Sequence, residues 1–233
     1  MIDLPGLTPM EWEALGLSLQ VSLWAVAGSL PVGILAAWVL ARLSFPGKSI
    51  LDGIVHLPLV LPPVVTGYVL LILFGRKGPL GAFLRDHLGV TLAFNWKGAA
   101  LAAAVMAFPL LVRAVRLSIE SVDQGLEAAA RTLGAGPLRV FFTVTLPLVA
   151  PGIISGMILA FARSLGEFGA TITFVSNIPG ETRTLPLALY TLTQMPGGEA
   201  NAMRLCVISV GVAMVALFFS EMAARRFSKR LKG

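Results

Sequence analysis

Two ionisable residues stand where a stretch this apolar would normally have none. Arg163 and Glu167 are the charged residues of the run from Val140 to Asn177. Four positions apart, they would share one face of a helix. Charge at membrane depth is costly and faces protein or water, often with a partner nearby. Two roles fit. One is a structural ion pair within a helix or between subunits. The other is a place on a pathway, the usual functional reason for an ionisable residue at that depth. Gly166, Gly169 and Ala170 flank the pair and would allow another helix to approach closely.

The rest of the chemistry is sparse. With two histidines, one cysteine and one clear intramembrane acid, the chain lacks the convergent set that a membrane-embedded transferase or protease would need. No GxxxxGK[ST] phosphate loop occurs, so ATP cannot be bound in that way. His56 has no second ligand in view, and no metal site is expected. Cys206 lies in an apolar run, and a single cysteine forms no internal disulfide.

A second stretch concentrates polar and backbone signals between two apolar runs: EAAARTLGAGPLRVFFTVTLPLVAPG, from Glu127 to Gly152. Upstream, Ser121 and Gln124 match a capping box that would start a helix. Glu127 and Arg131 are spaced for an ion pair, the acid nearer the N-terminus. Leu126, Ala130 and Leu133 form an apolar stripe. Gly134 suits the left-handed position after a helix end, and Pro137 the first turn of a second helix. Leu138, Phe141 and Phe142 give that second helix an apolar side, and Pro147 and Pro151 bend the chain onward. The pattern predicts a helix–turn–helix. It reads equally as a surface hairpin joining two spans and as a knob on which another protein packs.

Charged residues make up 13% of the 233-residue chain, against about 25% in an ordinary soluble domain. The runs Ala14–Ala41, Gly53–Gly75 and Val140–Ala162 carry no Asp, Glu, Lys or Arg. Each exceeds the ~20 residues that cross a bilayer as a helix. An all-α integral membrane protein with about five spans is expected, near 17–41, 54–74, 99–119, within 140–177, and 205–224. Thr8-Pro9-Met10-Glu11 predicts a short leading helix with its own cap. Asp3, Glu11 and Glu13, with no Lys or Arg, are unlike a secretory signal, so the first span is expected to stay. Pro58, Pro62 and Pro63 would kink the second span, as in a pathway-lining broken helix or simply a bent packing helix. The basic outer loop from Gly75 to Trp96 could meet a binding protein, concentrate anions, or equally be a solvated loop.

Lys and Arg divide unequally between the two sets of connections. The loop after span one, the segment between spans three and four, and the C-terminal tail hold the larger share. That set should be cytoplasmic, with the N-terminus outside and the C-terminus inside. The net charge of +6 therefore reads as membrane orientation rather than nucleic-acid binding.

These segments carry a resemblance. Glu127-Ala128-Ala129, then Gly134, then Leu146-Pro147 is similar to the EAA…G…LP signature of ABC-importer permeases, with one more residue before the glycine than that pattern has. Over nearly the whole chain, SFPGKSILDGIVHLPLVLPPVVTGY, RTLGAGPLRVFFTVTLPL and FARSLGEFGATITFVSNIPGETRTLPLALYTLTQMPGGEA resemble the oxyanion-importer permeases. RSLGEFGA-like text is shared by the sulfate, tungstate and molybdate members. NIPGETRT and Met195-Pro-Gly-Gly-Glu199 favour the molybdate importers. Some members carry an extra N-terminal span for which this chain has no room.

The resemblance implies a type I ABC importer fold, methionine-permease-like, as a single permease domain over residues 1–233. Residues 121–147 would be the cytoplasmic coupling helix-turn-helix. Glu127, Ala128, Ala129, Gly134, Leu146 and Pro147 would couple the chain to an ATPase, and Arg163 would contribute to the path of a divalent oxyanion, its guanidinium suited to paired oxygens. The implied partners are a second copy of the chain, a cytoplasmic ABC ATPase pair that holds ATP and Mg, a periplasmic molybdate-binding protein and membrane lipid. No cofactor is expected on this chain. Sulfate or tungstate import is the nearest alternative. A channel or secondary transporter independent of any ATPase is a further one, though no internal inverted repeat is visible.

Overall fold

The computed structural model describes residues 7–232, and from residue 217 onward it describes side chains only at Phe218 and Met222. All regular elements among the described residues are helical. The first, α1, runs Pro9–Arg42. Thr8 caps it reciprocally: its hydroxyl accepts from the Glu11 N–H, and the Glu11 carboxylate accepts from the Thr8 N–H at 2.6 Å. The cap is the expected one, but the separate leading helix is not formed. Nothing after Glu11 stops the helix, and the chain continues unbroken through the first span. Pro31 sits inside it, as neighbouring helices permit in a membrane.

The expected second span is two helices, not one. α2 runs Lys48–Val60 and α3 runs Pro63–Phe74, bent by 114°. Pro62 and Pro63 both lack an N–H, and the residue before a proline is driven from helical to extended backbone. Leu61 is extended accordingly, with φ −71° and ψ 142°. Pro58, alone inside α2, does not end it.

The loop after α3 folds its middle into α4, Pro79–Leu88. Asn95 then caps α5, Trp96–Glu120, by accepting from the Lys97 N–H, and α5 is the third span. Next come α6 (Gln124–Thr132), α7 (Pro137–Val140) and a π-helical turn (Phe141–Thr145). The chain continues as α8 (Leu146–Leu165), α9 (Gly169–Val175), α10 (Leu185–Gln194) and α11 (Glu199–Lys232). The region from Val140 to Asn177 thus holds one full-length helix and a half-length one. Among the described residues, four helices are long and apolar enough to cross a membrane, or five if the bent pair counts as one span.

α5 lies at the centre, packed along α1 and α8. Between apolar helices in lipid, close approach at small residues does the joining. Ala99, Ala102, Ala103 and Ala107 are buried on α5. Gly33 of α1 and Gly156 of α8 both rest on Leu111. The half-helices pack on each other in the same way, Gly67 of α3 against Ala170 and Gly169 of α9 against Pro63.

Polar ties mark the two ends of the molecule. At one, Glu11 pairs with Arg204 at the start of α11, and Ser18 Oγ accepts from the Leu185 N–H at 2.7 Å. At the other, Arg42 at the end of α1 reaches the α6 segment. The structure therefore groups the N-terminal end of α1 with the start of α11. The end of α1 falls with the hairpin. The basic side chains of the C-terminal tail lie outside the described residues.

Candidate functional site

The segment 121–147 forms the expected hairpin, with one change at its start. Ser121 does not cap α6. It closes α5 instead, its hydroxyl donating to the Ser118 carbonyl at 2.7 Å. Asp123 is the cap, accepting from the Gly125 N–H at 2.8 Å. Both residue types suit a cap, and α5 runs far enough to claim the serine.

The far end follows the sequence closely. Gly134 has φ +83°, the Ala135 N–H reaches the Ala130 carbonyl, and the Gly134 N–H reaches that of Arg131. This is the Schellman closure. Pro137 then opens α7 at its first turn. The π turn follows at once, with the Leu146 N–H bonding back to the Phe141 carbonyl. Pro147 has no N–H for an α-helical bond and its ring needs room behind it. The wider turn supplies that room.

Glu127 faces into the molecule. It is 9% exposed, the one buried residue of α6. Its Oε1 accepts from Arg42 Nη2 at 2.9 Å and from Thr145 Oγ1 at 2.8 Å. Arg131, the predicted partner, lies 3.9 Å from Oε2. The apolar stripe points the other way. Leu126 is half exposed, Leu133 is 89% exposed and Leu138 of α7 is 74% exposed. Ala128, Ala129, Gly134, Phe142 and Pro147 are exposed as well, and Leu146 is half-buried. The hairpin thus hides its acid and shows its leucines, the reverse of an ordinary surface helix. An exposed apolar edge of this kind marks a surface that meets another protein or lipid.

Arg163 and Glu167 are brought together, but not on a single helix. α8 ends at Leu165, and Glu167 sits in the break before α9. Its Oε2 takes Arg163 Nη1 at 2.6 Å, while Oε1 accepts the Ala170 N–H in the first turn of α9 at 2.9 Å. Glu167 is 3% exposed, and Arg163 keeps about a quarter of its side chain open. The pair therefore bridges the break. Of the flanking small residues, Gly169 and Ala170 meet α3, whereas Gly166 faces open space. The α2–α3 break lies alongside, because Pro63 is the residue under Gly169. Thr66 and Ser164, near the two breaks in sequence, bury hydroxyls with no hydrogen-bond partner among the described residues.

His56 is held by Asp52, 2.9 Å from its carbonyl oxygen. No group of three His, Cys, Asp or Glu among the described residues is placed to hold a metal. The sequence reading missed Arg42 and Thr145. Arg42 had a signal: it is the first cation after the uncharged run that fills α1. Thr145, inside an apolar run, had none.

Residues 29–232 match the family of binding-protein-dependent transport system inner membrane components. The chain is 66% identical to the molybdenum transport system permease protein ModB of Escherichia coli (strain K12), over 94% of this chain and 96% of that one. Its identity to the ModB protein of Haemophilus influenzae is 54%, covering 95% and 97%. In fold it is similar to the inward-facing MetNI methionine ABC transporter, with a TM-score of 0.67, 18% identity and 94% of both chains covered.

Proposed function

The chain belongs to the family of binding-protein-dependent transport system inner membrane components, and from that premise we propose that it imports molybdate by alternating access, driven by ATP hydrolysed elsewhere. It is a multi-pass inner-membrane transport subunit, not an enzyme, with the type I ABC importer fold. Two copies would form the pore. A cytoplasmic ABC ATPase pair would carry ATP and Mg, and a periplasmic molybdate-binding protein would deliver the ion. The N-terminus lies outside and the C-terminus inside.

The observation that carries this reading is the inverted hairpin. Leu133 and Leu138 are almost bare at the end of the molecule that the basic residues assign to the cytoplasm. A separate ATPase needs a projecting apolar edge to grip, and the left-handed Gly134 turn presents one. Ala128 and Ala129 add a smooth flank, and Leu146 and Pro147 join the edge to α8. Nucleotide-driven closure of the ATPase pair would draw two such hairpins together and favour the outward-open state, and release would restore the inward-open one. Arg163 is the intramembrane cation that a passing oxyanion would meet, held in place by Glu167.

The test is ATP hydrolysis and ion uptake by this chain in lipid with its ATPase subunit. The periplasmic protein is added loaded with molybdate, tungstate or sulfate in turn. Stimulation and uptake with the molybdate-loaded protein are expected. A response to sulfate alone would keep the machine and change its cargo. Uptake without any ATPase would overturn the reading.

A further inference from the structure

We infer that Glu127 is a transmission latch rather than part of the docking face, with Arg42 and Thr145 as the positioning residues that complete it. This rests on the reading of the chain as a permease driven through its hairpin. α6 packs against α7 and the π turn, and its leucines point away from the body. Its one buried side chain is the Glu127 carboxylate. Through that carboxylate, α6 is tied to the last residue of α1 and to the last residue of the π turn that leads into α8. A push on Leu133 or Leu138 reaches two membrane spans at the point where Glu127 is held. The Glu127 side chain itself is only 11% exposed, and it lines a cavity beside the hairpin rather than the leucine edge.

The latch has unused capacity. Arg42 contributes Nη2 alone, while its Nε is buried and has no hydrogen-bond partner among the described residues. Glu127 Oε2 is met by Arg131 only at 3.9 Å. A guanidinium and a carboxylate can share two parallel hydrogen bonds. A small rotation of α6 against α1 can close the second bond without opening the first. A cavity of about 600 Å³ beside the pair, lined by Trp38, Gln124 and Arg131, leaves room for that movement. The latch therefore stays engaged while the hairpin swings, as a coupling element must.

The experiment uses the full chain in lipid with its ATPase subunit and loaded binding protein. Three quantities are read: co-purification of the ATPase subunit, ATP hydrolysis, and ions imported per ATP. Arg42→Ala should leave co-purification intact and lower the import ratio about tenfold, the scale of an ordinary coupling free energy. The charge swap of Arg42→Glu with Glu127→Arg should recover at least part of that ratio. Thr145→Val keeps the shape and removes one donor. It should cost about threefold in the ratio, and it reads the latch even if the charge variants do not fold. Loss of co-purification in Arg42→Ala would return Glu127 and Arg42 to the docking face. Unchanged import in both Arg42→Ala and Thr145→Val would overturn the latch. Absence of ATP-driven import in the unaltered chain would instead defeat the functional reading beneath it.

Discussion

Gly67 and Ala170 stand back to back across the two interrupted spans. A Cβ on Gly67 would lie 2.6 Å from the Ala170 carbonyl oxygen. Gly169 presses on Pro63 in the same manner, at 2.8 Å. The two half-helices are joined where neither can carry a larger side chain. Irregular backbone at membrane depth survives only where protein or water covers it, and this joint lets each half-helix help to cover the break beside the other.

Gly67→Ala should therefore overpack the joint, at a cost of roughly 1–3 kcal/mol. The measurement is thermal unfolding of the purified permease in detergent, together with uptake after reconstitution. Gly16→Ala is the matched control, because no atom lies within 4 Å of its Cβ position. An equal loss at both positions would argue against the joint.

Gly134 tests backbone rather than space. Nothing lies within 4 Å of its Cβ position, but its φ is +83°. The left-handed conformation costs an ordinary residue roughly 1–2 kcal/mol, while asparagine adopts it more readily. ATPase binding by the permease should fall in the order Gly, Asn, Ala. Full binding by the alanine variant would show that the turn is not what presents the edge.

Leu133→Glu and Leu138→Glu place charge on the exposed edge. Surface changes of this kind usually stay within about 0.5 kcal/mol of the parent's stability. The variants should melt normally yet fail to retain the ATPase subunit on a pull-down. Normal retention by both would move the docking surface elsewhere.

At the opposite end, Arg204→Ala would strand the buried Glu11 carboxylate, which also caps α1. Removing one partner of a buried pair is worse than replacing both. The melting temperature should fall further for Arg204→Ala than for Glu11→Gln combined with Arg204→Met, since glutamine can still serve the cap. The reverse order would mean that the pair contributes little.

What could be read from the sequence was governed by neighbouring residues. The Thr8–Glu11 cap, the Gly134 closure, the Pro137 helix start and the apolar spans each follow from a few adjacent positions. The cap at Ser121 failed because Asp123, two residues on, suits the role as well, and the length of α5 decided between them. Pro58, Pro62 and Pro63 predicted a kink in the second span, but not its place after Val60 or its 114° angle, and α3 packs on α9, which lies far along the chain. The burial of Glu127 was invisible for the same reason: its partner Arg42 is 85 residues away. The motif marked the residue as special without saying which way it faced. The Arg163–Glu167 contact was legible from spacing, whereas the helix end between them was not.

The π turn has one more consequence, which concerns phase. An α-helix turns about 100° per residue, and a π turn uses more residues for each revolution. Phe141–Thr145 therefore holds roughly one residue of slack between the hairpin and α8. If that slack were taken up with no residue lost, everything upstream would swing around the α8 axis by a large fraction of a right angle or more, and Leu133 and Leu138 would aim elsewhere. If one residue were deleted there, an ordinary helix could close the gap with the heading nearly kept. The gearing between cytoplasmic grip and membrane helix is thus set by chain length at this one point. It tolerates the loss of one residue there better than the gain of one, a distinction that no side-chain substitution reveals.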